Sequence, residues 1–270
     1  MPSHPYPTIA DIDFAALYRE HMAAVGRPKP PEVWDARADA MNEREGASAY
    51  TNAFVQRMDF SGCESLLDVG CGTGNIALAA APHLKRIHGL DYSPRMLALF
   101  MQNAQQQGVP EAHAILRSWD DDWDDVPECD IVVASRSTAV RDMARALSLL
   151  HAKARKRVYL SSLVGGQFGD AKLLQIVGRP APQPWPDYIY ILTILHGMGI
   201  HARLDHIPPG APTASVHSLD DALRHVASRI GPLTEPEQAR LAAWWHAPTT
   251  HHADLTAPAL WALVHWDKPA

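Results

Sequence analysis

The amino-acid sequence predicts an α/β protein in which helices cover both faces of a doubly wound, mostly parallel sheet of seven strands. Three observations lead to this fold class. From residue 65 onward, short apolar runs alternate with amphipathic stretches, as in a parallel sheet covered by helices. The first run passes directly into a glycine-rich turn, "GCGTGN". The chain has 270 residues, 47% of them hydrophobic, which is enough for one large core.

The first 60 residues differ from the rest and are predicted to form a helical leader, or lid, rather than an independent domain. In "DIDFAALYREHMAAV" apolar residues recur at helical spacing. The proline-rich break "GRPKPPE" then leads to a second helical stretch, predicted over residues 33–58. We therefore divide the chain into a leader at 1–60 and a main domain at 61–270.

The strands of the main domain follow in order. The runs "SLLDV", "RIHGLD", "AHAIL", "DIVVAS" and "RVYLSS" are predicted as its first five strands, with helices at about 74–84, 94–107 and 140–153. Further on, "YIYILTILHGMG" is predicted as a covering helix, and "IHARLDHIP" and "ALWALVHW" as the last two strands. Between these strands, "SLDDALRHVASRI" and "TEPEQARLAAWWHA" predict a helical insertion at about 210–258.

Composition and charge restrict the partners. The formal net charge is −6, so no overall positive field attracts nucleic acid or anionic lipid. No apolar stretch approaches the roughly 18 residues of a membrane-spanning helix, and the start of the chain lacks a signal-peptide pattern. The three cysteines have neither metal-like nor paired spacing and indicate reduced thiols. We expect a cytoplasmic protein with no membrane partner and no metal site.

The stretch "LLDVGCGTGN" indicates a nucleotide site. A strand that ends in glycines and passes straight into a helix brings bare backbone and the helix N-terminus to the carboxyl edge of the sheet. Asp91 ends the next strand, 21 residues after Gly70, close to the spacing of about 20 residues at which an acid binds ribose hydroxyls. Two alternatives remain open: the glycines form only a tight turn, or Asp91 only caps the following helix.

The spacing of the glycines bears on which nucleotide binds. The loop reads G-x-G-x-G, whereas a dinucleotide loop reads G-x-G-x-x-G and would need its third glycine at Asn75. Asp68 would repel a diphosphate, whereas it suits a ligand that carries an ammonium group. Both observations count against NAD.

Together, "LLDVGCGTGN" and "GLDYSPRML" resemble the first two motifs of class I S-adenosylmethionine-dependent methyltransferases. The resemblance is close over about residues 65–135, and elsewhere only the order of elements is similar. It implies a Rossmann-like fold, S-adenosyl-L-methionine as the cofactor, S-adenosyl-L-homocysteine as the product, and methyl transfer as the reaction.

The resemblance also implies roles for individual residues. The glycine loop would cradle the methionine and ribose portion, with Asp68 near the amino group and Asp91 on the ribose hydroxyls. In "LRSWDDDW" the acid for the adenine amino group is displaced by one position, and Trp119 offers a stacking face. The segment "EVWDARADAMNE" would lie over the cofactor as part of a lid. The implied cofactor-binding residues are Trp34, Arg37, Asp68, Gly70, Cys71, Gly72, Gly74, Asn75, Asp91, Tyr92, Met96, Ser118, Trp119, Asp120 and Ser135.

Methyl transfer from a sulfonium is an in-line displacement, so the protein mainly holds the reacting atoms in line and excludes water. A general base is needed only if the acceptor must lose a proton, and the 15 histidines single out no residue for this role. By the same resemblance, residues after the fourth and fifth strands face the acceptor. The substrate-side candidates are therefore Arg136, Tyr188 and Tyr190.

The acceptor is predicted to be a small molecule, because the chain is acidic, a helical leader can cover the site, and no RNA-binding module is present. Two alternatives stay open: a methyltransferase that acts on RNA or protein, and a protein that binds the cofactor and works through a partner without methyl transfer. Transfer of another group of the cofactor is also left open. Trp244 and Trp245, on an amphipathic helix, belong either to the core or to the surface of a homodimer.

Overall fold

The computed structural model describes residues 8–26, 29–44, 48–167, 170–208, 210, 215–248, 252–256 and 259–269. Its strands are β1 (Ser65–Val69), β2 (Arg86–Asp91), β3 (Ala112–Leu116), β4 (Cys129–Ala134), β5 (Ala154–Leu163), β6 (Arg203–Ile207) and β7 (Trp261–Asp267). These seven strands form one sheet in the order β3-β2-β1-β4-β5-β7-β6. Strand β7 runs antiparallel to its neighbours β5 and β6, and the other pairs are parallel. The predicted fold class is confirmed.

Helices cover both faces of the sheet, and single-turn 3-10 segments occur at residues 9–11, 81–83, 164–166 and 252–255. No helix of the described ranges is long and apolar enough to cross a membrane. The helices are α1 (Phe14–Val25), α2 (Pro31–Asp35), α3 (Ala38–Arg44), α4 (Ala49–Val55), α5 (Asn75–Ala80), α6 (Pro94–Gln106), α7 (Met143–Lys153), α8 (Asp170–Val177), α9 (Tyr188–Gly197), α10 (Leu219–Ile230) and α11 (Glu235–Trp245).

Adjacent residues of the central strands point to opposite faces and build two hydrophobic clusters. Leu67 and Val132 belong to the cluster that includes α1, α7 and α9. Leu66 and Ile131 belong to the cluster that includes α4, α5 and α6. The period of two in a strand explains this division, and burial on both faces explains why these strands are mainly apolar.

The stretch predicted as one helix over 33–58 is three helices in the structure. Helix α2 ends at Asp35, and α3 begins at Ala38. Helix α4 begins at Ala49, and the preceding Ser48 is its N-cap, because the Ser48 Oγ accepts the Thr51 N–H at 3.1 Å. Helical spacing alone did not reveal these interruptions, because caps and packing partners decide where a short helix ends.

A third hydrophobic cluster lies outside the sheet. Helices α10 and α11, which fall in the predicted insertion between β6 and β7, pack with α8 around Leu173, Val226 and Leu241. Helix α8 follows the carboxyl end of β5, and α10 and α11 follow the carboxyl end of β6. All three helices therefore emerge from the edge of the sheet that also carries the glycine loop.

Candidate functional site

The loop between β1 and α5 contains three glycines with positive φ, but the surroundings of the three differ. The φ angles are 69° at Gly70, 55° at Gly72 and 94° at Gly74. A Cβ atom at Gly70 would lie 2.3 Å from the Ser137 Cβ, and one at Gly74 would lie 2.4 Å from the Phe100 ring. The two outer glycines are therefore needed for packing.

Gly72, in contrast, faces open space. The nearest atom to a Cβ built on Gly72 is the Met96 sulfur at 4.0 Å. A ligand can therefore approach the main chain at this glycine, and Met96 would lie beside it. The neighbouring Cys71 does not offer its side chain, because its thiol packs into the hydrophobic cluster beside Gly89. Burial raises the pKa of the Cys71 thiol well above its usual value, so it is not a nucleophile.

Asp91 joins the end of β2 to the glycine loop. Its Oδ2 accepts the Gly72 N–H at 2.9 Å, and its Oδ1 accepts the Ser93 N–H at 2.9 Å. The side chain is buried, and burial raises the pKa of this carboxyl. Each carboxylate oxygen retains acceptor capacity, so Asp91 can accept two hydroxyl groups of a ligand beside Gly72.

Two further buried polar groups lie at this edge of the sheet. Asp68 is 1% exposed, and its Oδ2 accepts the Ala77 N–H at 3.2 Å. Burial raises the pKa of Asp68 to about 7, and the charge of Asp91 adds to this effect. The Thr73 hydroxyl, inside the glycine loop, is buried and has no hydrogen-bond partner in the described part of the chain. A ligand with a cationic amino group and polar atoms would satisfy both groups.

A cleft of about 250 Å³ lies between the ends of β2 and β3 and helix α2. Tyr92 and Ser118, both predicted to bind the cofactor, line this cleft. Of the aspartates after Trp119, Asp121 lines the cleft together with Glu32 and Asp35, and its Oδ2 accepts the Ser118 N–H at 2.7 Å, whereas Asp120 is exposed and does not line it. Sequence reasoning missed Asp121, because three consecutive aspartates leave the register of the turn undecided.

Trp119 lies next to this turn but packs away from the cleft. Its Nε1 donates to the Ser137 carbonyl oxygen at 3.2 Å. Its ring stacks on the Trp123 ring, with 5.5 Å between the ring centres. Trp119 therefore connects the turn after β3 to the segment after β4, which touches Gly70. The Trp119 ring therefore stabilises the segment after β4 and does not face the cleft.

The N-terminal segment contacts the site through Asp35 and through Trp34, one of the two residues predicted for this role. Asp35 Oδ1 accepts the Ser93 hydroxyl at 2.5 Å and the Arg95 N–H at 3.1 Å. Trp34 packs on Met96 and its helix, and Arg37 is exposed. Helix α2 is thus fixed to the start of α6, next to the cleft.

The acceptor-side candidates are separated in the structure. Arg136 follows β4 at the site, next to Ser135, which was predicted to bind the cofactor and whose Oγ lies 2.9 Å from the Tyr50 hydroxyl. Tyr188 contacts the His206 ring edge-on at 5.9 Å. Tyr190 is turned toward α1, where its hydroxyl lies 3.2 Å from His21 Nδ1. Tyr50, which the sequence did not single out, takes the place beside Ser135.

Comparison with known proteins assigns the family. Residues 66–156 match the Methyltransferase domain family, a range that contains the glycine loop, Asp91 and the end of β4. A Haemophilus influenzae (strain Rd) protein, named only as uncharacterized, is 36% identical over 264 residues, which cover 96% of this chain and 98% of that one. Residues 66–156 of this chain therefore form a methyltransferase domain.

Solved structures support the fold of this methyltransferase. The YcgJ protein from Bacillus subtilis is 15% identical, with a TM-score of 0.54 over 82% of this chain and 98% of that one. A chain from a complex that contains the Haloferax volcanii Trm112 methyltransferase activator is 14% identical, with a TM-score of 0.59 over 91% of this chain and 100% of that one. At these identities the likeness concerns the fold alone.

The residues at the strand ends fit the cofactor of this methyltransferase family. Gly72 leaves room beside Asp91, which can accept the ribose hydroxyls. The buried carboxyl of Asp68 suits an amino group, and the Thr73 hydroxyl, which has no partner among the residues that the structure describes, offers a further polar group. The same carboxyl would repel the diphosphate of a dinucleotide.

Proposed function

We propose that this methyltransferase transfers the methyl group of S-adenosylmethionine to a small-molecule acceptor. The observation that carries the proposal is the hydrogen bond from the Gly72 N–H to Asp91 Oδ2, at a glycine whose missing side chain leaves open space. It joins the loop that would support the methionine portion to the acid that would hold the ribose.

The residues around the cleft complete the proposed cofactor site. Asp91 and Gly72 hold the ribose region, Asp68 and Thr73 the methionine end, and Tyr92 with Ser118 and Asp121 the adenine region. When bound, the cofactor supplies an electrophilic methyl group on a sulfonium.

The protein's own contribution to the reaction would be orientation and exclusion of water. Helix α2 is fixed over the start of α6 by Asp35, and Tyr50 of α4 covers the ends of β4 and β5. The buried Ser161 hydroxyl and Ser135 form the floor beneath Tyr50.

The covered site and the charge of the chain support a small acceptor. The N-terminal segment contacts the residues at the strand ends, among other places through Asp35 and Tyr50, and so covers part of this edge against a bulky polymer. The formal net charge of −6 also gives no general attraction for RNA.

Calorimetric titration of the protein with S-adenosylmethionine, S-adenosylhomocysteine and NAD tests the cofactor. We expect micromolar binding of the first two ligands only, and its loss in Asp91→Asn. Asp130→Asn is a matched control, because Asp130 is also a buried carboxylate that accepts a backbone N–H, from Glu64 at 2.8 Å before β1. Binding of NAD alone would overturn the proposal, as would equal affinities of the two variants for S-adenosylhomocysteine.

Incorporation of a labelled methyl group tests the acceptor class. Cell extract is separated into small molecules, RNA and protein, and each fraction is incubated with the enzyme and labelled cofactor. We expect label in the small-molecule fraction. Label in RNA, with binding that weakens steeply as salt rises, would favour a nucleic-acid substrate. Cofactor binding without label in any fraction would favour a protein that acts through a partner.

A further inference from the structure

Three hydroxyl groups form a connected chain at the carboxyl ends of β4 and β5. The Tyr50 hydroxyl lies 2.6 Å from Ser161 Oγ and 2.9 Å from Ser135 Oγ. Tyr50 comes from α4, 85 residues before Ser135 and 111 before Ser161. These hydroxyl groups lie next to the glycine loop. Ser137, two residues after Ser135, donates its hydroxyl proton to the carbonyl oxygen of Val69, the residue before Gly70, at 2.6 Å.

Burial determines which of the three hydroxyl groups donates and which accepts in each of these hydrogen bonds. Ser161 is fully buried, and its Oγ already accepts the Arg136 N–H at 3.0 Å. Within the described ranges, the Tyr50 oxygen is the acceptor available to the Ser161 proton. Tyr50 then donates to Ser135. The opposite order would leave a buried hydroxyl proton without an acceptor, which is costly.

With these donor and acceptor roles, the Ser135 proton takes no part in the hydrogen bonds among the three hydroxyl groups. Ser135 is only half-buried and receives the Tyr50 proton, so its own hydroxyl is a donor toward the site. Burial raises the pKa of Tyr50, and the nearby charge of Asp68 adds to this effect. Tyr50 therefore remains a neutral donor at physiological pH and does not act as a base.

Arg136 adds positive charge at the same place. Its φ of 56° is the one positive value at a non-glycine residue among those the structure describes, a conformation that costs energy and is typical of functional sites. In this conformation its N–H reaches Ser161 and its guanidinium lies 4.5 Å above the centre of the Tyr50 ring. With five N–H donors, a guanidinium can bind an oxyanion in addition to its other contacts.

We propose that Ser135 and Arg136 form a subsite for an oxyanion of the acceptor, such as a carboxylate, and that Tyr50 is the positioning residue that turns the Ser135 hydroxyl toward it. This inference rests on the proposed methyl-transfer function and narrows its substrate to an anionic small molecule. Tyr50 links the N-terminal segment to this subsite, so the subsite is complete only when α4 is in place.

The test uses protein saturated with S-adenosylhomocysteine, titrated with benzoate and acetate and, for comparison, with the neutral amides benzamide and acetamide. For the wild type we expect each carboxylate to bind at least about tenfold more tightly than its amide. In Tyr50→Phe and in Ser135→Ala this preference should fall about fivefold or more, while in Tyr50→Phe the affinity for S-adenosylhomocysteine stays within about threefold. A purely structural role of Tyr50 would change both affinities together.

Tyr159→Phe is the matched control, because it removes a phenol hydroxyl that accepts the Asp59 N–H at 2.9 Å outside this subsite. It should keep the preference for carboxylates. Equal binding of carboxylates and amides by the wild type, binding of neither, or an unchanged preference in Tyr50→Phe overturns the oxyanion subsite and leaves the cofactor site intact. Failure of S-adenosylhomocysteine itself to bind overturns both the proposed function and this inference.

Discussion

Substitution of Gly72 by alanine separates the cost of a strained backbone from the loss of a ligand contact. Gly72 has a φ of 55° and Gly108, in the turn after α6, has a φ of 69°. A Cβ at Gly72 would meet only the Met96 sulfur at 4.0 Å, and one at Gly108 would meet nothing within 4 Å. The two substitutions therefore impose the same kind of strain without a clash, and only Gly72 lies at the candidate site.

The expected loss of stability is small and similar for Gly72→Ala and Gly108→Ala. The left-handed conformation costs an alanine roughly 1–2 kcal/mol. The lower entropy of the unfolded chain offsets about 0.4–1 kcal/mol of this cost. The net destabilisation is then about 1 kcal/mol, which lowers the Tm of a chain of this size by about 2–4 °C.

The expected effect on cofactor affinity differs between the two variants. A methyl group at position 72 occupies the space through which the ligand would approach the main chain beside Asp91. We expect S-adenosylhomocysteine to bind at least about tenfold more weakly to Gly72→Ala, a loss of about 1.4 kcal/mol or more. Gly108→Ala should bind it like the wild type.

Thermal unfolding without ligand, followed by calorimetric titration with S-adenosylhomocysteine, measures both quantities on the same samples. Equal affinities of Gly72→Ala and Gly108→Ala would refute the assignment of Gly72 to the cofactor site. A Tm for Gly72→Ala that is more than about 10 °C below that of Gly108→Ala would refute the open space at this position, because strain alone does not account for such a shift.

Three further predictions concern the same region. Gly74→Ala should lose about 2–4 kcal/mol of the free energy of unfolding, measured in urea, because strain adds to a clash with the buried Phe100 ring; a loss below about 1 kcal/mol would contradict the packing described. Burial raises the pKa of Asp68 to about 7, so the folded protein favours the protonated carboxyl. The free energy of unfolding that this gives the ligand-free protein is present below about pH 4 and is lost as the pH rises through 7. A ligand cation near Asp68 would favour the ionised form, so binding of S-adenosylhomocysteine at pH 7 should release about half a proton in buffers of different ionisation enthalpy, and Asp68→Asn should release none. Asp35→Ala removes the acceptor of the Ser93 hydroxyl, so limited proteolysis should cut residues 29–44 faster at an unchanged global Tm; an unchanged cleavage rate would show that Asp35 does not hold α2 in place.

Local patterns in the sequence were sufficient for most of the fold. The runs "SLLDV", "RIHGLD" and "AHAIL" coincide with β1, β2 and β3, because each is a short, largely apolar run bounded by polar or turn residues, even though β3 lies at the edge of the sheet and is mostly exposed. The start of α6 was predicted from Ser93 and Pro94, whose capping role depends only on neighbouring residues: Ser93 Oγ accepts the Met96 N–H at 3.1 Å. The interruptions in the N-terminal helices were missed, since no comparable signal marks all of them.

The partners of the site side chains were not accessible to the same reasoning. Tyr50 reaches Ser161 across 111 residues, and Asp35 reaches Ser93 across 58. In the turn after β3, only the structure places Asp121 rather than Asp120 in the cleft.

The sequence by itself determined the alternation of strands and helices, the glycine turn and the acid at the end of the second strand, because each depends on residues that are close along the chain. Only the tertiary structure decided that the N-terminal segment supplies Asp35 and Tyr50 to the edge of the sheet. Such contacts arise when helices pack on a finished sheet, and their geometry depends on the whole core rather than on any local pattern.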